Sequence, residues 1–132
     1  MSKNNNASKS FDELMGKEYT GIKGQAAVDK LIAEKQGHVK NAFYRDDIGN
    51  IDIFWGDETA GLCHIINQRR MKGVNTGKFI SELGQTIERG QLGPDRNHPD
   101  RENIFYKDKV AVIAYELRGT EAQHLLTAFK TK

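Results

Sequence analysis

Apolar residues at helical spacing come first along the chain. In residues 24–36, GQAAVDKLIAEKQ, Ala27, Val28, Leu31 and Ile32 recur along one helix face, and Gly37 supplies a stop. The period then changes. Residues 39–44 and 51–55 are short β-prone runs on either side of Arg45-Asp46-Asp47-Ile48-Gly49-Asn50, which predicts a hairpin. Helical spacing returns over 62–71, with Gly73 beyond it. It returns again over 77–89, where Asn75 or Thr76 supplies a cap and Phe79, Ile80, Leu83 and Ile87 share a face. Gly84 weakens that helix.

A polar loop, GPDRNHPDREN, follows and holds both prolines of the chain. Strands are predicted over 104–106, 109–117 and 125–129, with turns at Lys107-Asp108 and Arg118-Gly119-Thr120. In the last strand Leu125, Thr127 and Phe129 fall on one face, and His124, Leu126 and Ala128 on the other. The run VAVIAY is apolar on both alternating sets, which predicts a central strand covered on both sides. Early helices and a late antiparallel sheet make an α+β domain over residues 21–132. Residues 1–20 read as a flexible tail or linker remnant, since the opening MSKNNNASKS has nothing to bury.

Composition narrows the picture. A chain of 132 residues, 37% hydrophobic and 29% charged, has room for one compact domain with a heavily solvated surface. No apolar run approaches the ~18–20 residues of a membrane span, and the first residues carry no signal-peptide pattern. The single cysteine, Cys63, excludes an internal disulfide and a cysteine-rich zinc site. A net charge of +2 is too small to argue for nucleic-acid binding. Its distribution says more. From Thr59 to Ser81 there is no acidic residue, while Arg69, Arg70, Lys72 and Lys78 all fall there. Such a stretch is either a footprint for a phosphate chain or a solvated face.

The segment GLCHIINQRR, residues 61–70, holds the best candidates for chemistry. Leu62, Ile65 and Ile66 define a buried helix face, and Arg69 continues it. A buried cation needs an anion, such as a substrate phosphate, unless it snorkels or pairs with a carboxylate. His64 points to the opposite side of that wheel, as a surface histidine or as a base kept neutral near the helix N-terminus. Cys63 beside it diverges by about 100° and reads as structural rather than as half of a nucleophilic pair. The four histidines have no metal-ligand spacing, so no metal or other cofactor is expected. Thr127 is either a phosphate hydrogen-bond donor or simply a good strand residue. Arg118 and His98 read as solvated, with substrate contact as the alternative.

Taken in order, IDIFWG (51–56), GLCHI (61–65), AVIAY (111–115) and HLLTAF (124–129) resemble the phage and polymorphic-toxin nucleases of the barnase/EndoU/colicin/RelE-like superfamily. The resemblance spans about residues 21–130 and implies helices packed on a twisted antiparallel sheet. It also implies metal-independent endoribonuclease activity on RNA, with tRNA among the targets, through a 2′,3′-cyclic phosphate. The catalytic positions of the family fall on His64, Arg69 (where a second histidine is frequent) and Thr127. Arg69 would clamp phosphate, and the general acid is left unassigned. Arg70, Lys72, Arg118 and His124 are the candidate substrate-binding residues, His124 standing where relatives often carry tryptophan. The resemblance further implies a toxin domain at the end of a larger delivered or phage-borne protein, acting in the bacterial cytoplasm and neutralised by a cognate immunity protein. The competing class is a non-catalytic RNA- or protein-binding module.

Overall fold

The computed structural model describes residues 9–94 and 97–131. Its elements run α1 (Phe11–Met15), α2 (Gln25–Glu34), β1 (His38–Arg45), β2 (Gly49–Phe54), α3 (Leu62–Met71), α4 (Thr76–Ser81), α5 (Leu83–Arg89), β3 (Gln91–Pro94), β4 (Arg101–Tyr106), β5 (Lys109–Leu117) and β6 (Thr120–Lys130). The strands form one sheet in the order β1-β2-β6-β5-β4-β3. Neighbours are antiparallel except β2 and β6, which meet in parallel at Asp52 and His124. The α+β class read from the sequence is the one observed, with a mixed rather than wholly antiparallel sheet. The early hairpin covers part of the edge that β6 would otherwise leave open. No helix among the described residues is long and apolar enough to cross a membrane.

Residues paired directly across antiparallel strands project to the same side of a sheet, so the register sorts the two faces. The row Ile104, Ala111, Ala128 and the pair Ile113, Leu125 lie on the face that α2 and α5 cover. These residues join Val28, Leu31, Leu62, Ile65, Phe79, Leu83 and Ile87 in the main core. Truncating one of the fully buried aliphatics there to alanine costs about 2–5 kcal/mol. The alternate rows face away from these helices: Arg101, Ala114, His124; then Asn103, Val112, Thr127; then Phe105, Val110, Phe129. On this second face a smaller cluster of Leu14, Met15, Phe54, Ala60 and Leu117 closes one end.

Four expectations need correction. The tail assigned to residues 1–20 contains α1, because Ser10 and Glu13 form a reciprocal capping box and Leu14 and Met15 find apolar cover; residues 1–8 lie outside the described residues. The helix expected over 77–89 is two helices broken at Glu82. There Gly84 donates its N–H to Gln25 Oε1 at 2.7 Å instead of continuing the ladder, and Glu82 turns to Lys109. The polar loop begins within β3, which pairs with β4; residues 95–96 of that loop lie outside the described residues. Finally, β6 is longer than its apolar run and its register slips between Leu125 and Thr127 opposite Val112 and Ile113. That bulge puts Leu125 and Ala128 on the same face, and Thr127 with Phe129 on the other.

Candidate active site

Helix α3 is built against β6. Gly61, at φ 90°, donates its N–H to the Leu126 carbonyl at 3.1 Å, and a Cβ there would sit 2.8 Å from the Trp55 carbonyl. At the other end of α3, Arg69 and Lys72 share a cavity with Phe129 and Lys130. The helix therefore runs alongside β6, with Gly61, Ile65, Gln68 and Lys72 along the adjoining stripe. His64 and Arg69 leave this stripe on opposite flanks, about 140° apart on a regular helix. The Arg69 guanidinium lies 5.9 Å from the centre of the Phe79 ring, on the main-core side. His64 turns the other way, to the loop that carries Ala60 into the second cluster. His64 thus leaves α3 on the flank away from Phe79, while Arg69 opens on a cavity lined in part by Phe129, whose strand row lies on the same face as Thr127.

The loop fixes the histidine. His64 Nδ1 lies 2.8 Å from the Glu58 carbonyl. A carbonyl only accepts, so Nδ1 carries the proton and Nε2 keeps the lone pair in the neutral ring. The loop is held in turn. Asp57 Oδ1 accepts from the Thr59 amide at 2.8 Å and the Thr59 hydroxyl at 2.6 Å. Although burial works against it, these bonds and the Arg118 charge hold the Asp57 carboxyl below its ordinary value. Arg118 donates to Thr59 Oγ1 at 3.0 Å and to the Lys9 carbonyl at 2.6 Å. Its guanidinium is engaged in holding the His64 loop.

His124, the other candidate on β6, is enclosed. It is 0% exposed, donates from Nδ1 to the Ala122 carbonyl at 2.6 Å, and stacks edge-on against Phe54 with ring centres 5.6 Å apart. Burial pushes its pKa down, and its Nε2 has no partner. A ring enclosed in this way packs against Phe54. Arg70 is exposed and sits on α3 away from β6 by helical spacing, while Lys72 reaches the Arg69 cavity. Cys63 is half-buried, and burial raises its thiol pKa, which disfavours a nucleophilic thiolate.

Sequence reasoning missed the neighbours of Thr127. Asn103 lies two strands away in the same row, with its Oδ1 buried and unpartnered. Arg101 lies on that face one row away, and Phe105, 44% exposed, leans its ring over Gly93. The polar loop reading hid them, because β4 begins at Arg101 with three residues that carry no apolar signal. This face offers the Thr127 hydroxyl, the Arg101 guanidinium and an open aromatic ring, and α3 beside β6 adds an imidazole tied through Nδ1. Among the described residues no group of three or more His, Cys, Asp or Glu side chains is placed to hold a metal ion.

No curated protein and no solved structure matches the chain significantly. A family model does, over residues 42–132, a span that holds the second hairpin strand, α3 and the whole of β3–β6. The chain belongs to the family described as phage-Barnase-EndoU-ColicinE5/D-RelE like nuclease1.

Proposed function

We propose that this domain is an endoribonuclease that cleaves RNA without a metal ion. The observation that carries the reading is His64, whose Nδ1 is tied to the Glu58 carbonyl at 2.8 Å, which leaves Nε2 to act on a substrate. In this reading Nε2 takes the proton of a ribose 2′-hydroxyl, and the 2′-oxygen attacks the adjacent phosphorus. Thr127 and Arg101 donate to the phosphoryl oxygens as charge builds on them. The bond from phosphorus to the 5′-oxygen breaks, that oxygen takes a proton from water on the open face, and the hydroxide left behind takes the proton back from His64 Nε2. The products are a 2′,3′-cyclic phosphate and a 5′-hydroxyl. Phe105 gives an unpaired base a surface to stack on.

A cytoplasmic toxin of this kind needs restraint in the cell that makes it. The acid-free stretch from Thr59 to Ser81 suits an acidic inhibitor encoded beside the nuclease, covering Arg69–Lys78. Co-expression of that inhibitor restores growth if the reading holds. The direct test incubates the purified domain with total bacterial RNA in EDTA and sequences the new 5′ ends. Discrete cuts support a ribonuclease with tRNA or another defined target. Binding without cuts would favour a non-catalytic module.

A further inference from the structure

Arg69 is an oddity that the proposed reaction leaves unused. It is a cation only 7% exposed, its Nε is buried without a hydrogen-bond partner, and no carboxylate pairs with it among the described residues. Burial alone pulls its pKa down. Proteins seldom keep a buried charge uncompensated. The guanidinium opens on a cavity of about 400 Å³ that it shares with Lys72, Val74, Phe129 and Lys130. Lys130 is already held by Asp108 at 3.1 Å, so Arg69 and Lys72 are the cations left to receive an anion.

We infer that this cavity is a second phosphate subsite, separate from the one at His64, which holds another phosphate of the same RNA strand. The inference rests on the RNA reading above. An α-helix with its side chains is about 10–12 Å across, and His64 and Arg69 leave α3 on opposite flanks. A strand passing around α3 would present a different phosphate to each flank. A planar guanidinium backed by the Phe79 ring suits two phosphate oxygens, and Lys72 adds a point charge at the rim.

The test uses the whole domain and 2′-O-methyl oligonucleotides, which bind but cannot react. A trinucleotide with two phosphates should bind about tenfold more tightly than a dinucleotide with one, the gain expected of one charge-assisted contact. Arg69→Met should erase that gain and leave dinucleotide affinity as it was. Arg69→Lys should restore part of it. Inorganic phosphate should raise the thermal midpoint of the wild type but not of Arg69→Met. Equal loss for both oligonucleotides in Arg69→Met would place Arg69 at the scissile phosphate and overturn the inference. A response to inorganic phosphate with no gain from the second RNA phosphate would make the cavity a site for free phosphate, which also overturns it. If neither oligonucleotide binds the wild type, the RNA reading fails and the subsite with it.

Discussion

His64 and Arg69 stand five residues apart on one regular helix and face opposite ways, His64 to the Glu58 carbonyl and Arg69 to the Phe79 ring. Family likeness alone would gather them in one catalytic centre. The helix between them argues for a division of labour, with proton transfer on one flank and strand binding on the other.

Proton transfer by His64 has a simple signature. His64→Ala should slow RNA cleavage by roughly 100-fold or more, the scale of a general base, while RNA affinity changes little. The thermal midpoint should stay close to wild type, because the ring is half-exposed and belongs to neither core cluster. Full activity in a folded His64→Ala protein would remove it from the mechanism and make His98 the next residue to test.

Arg69 should cost the fold stability. Replacing an unpaired buried cation with an apolar side chain of similar length removes a desolvation penalty. Arg69→Met is therefore expected to raise the thermal midpoint by about 2–6 °C. A clear fall in calorimetry would mean that the guanidinium contributes to packing instead.

Arg118 holds the loop that in turn holds His64. Arg118→Ala frees Thr59 and the loop that presents the Glu58 carbonyl to His64. The expected outcome is a lower kcat with KM nearly unchanged, and partial rescue by Arg118→Lys. A raised KM at constant kcat would instead mark Arg118 as a binding residue.

His124 makes stability depend on pH. Its pKa lies below 6.5 in the folded state because burial disfavours the charged ring. Between the folded value and 6.5 the unfolded chain binds more protons, so stability is complete above that pH and declines as pH falls through the window. His124→Leu should flatten the decline in thermal midpoint on going from about pH 7.5 to about pH 5. Parallel curves for the two proteins would contradict this.

Much of the fold was legible because burial writes a period into the chain. Helix α3 spans the same residues that its apolar spacing marks, and VAVIAY is buried as its double-sided pattern requires. What stayed hidden were features set by partners distant in sequence. The break at Glu82 depends on Gln25 and Lys109, and the bulge beside Thr127 occurs where β6 slips against Val112 and Ile113. Without that slip Thr127 would share a face with Leu125, inside the core. The site was half legible for the same reason. His64 stands out in its motif, but Arg101 and Asn103 join Thr127 only through sheet register.

The reaction proposed above makes the ribose 2′-hydroxyl the nucleophile. It is tested most directly by mapping one cut site in a defined RNA, then replacing that single nucleotide with its 2′-deoxy form and assaying both in EDTA. Cleavage of the all-ribose strand to a 2′,3′-cyclic phosphate and a 5′-hydroxyl is expected, and none at the deoxy position. Cleavage that persists at the deoxy position, or that stops in EDTA and returns with magnesium, would contradict it.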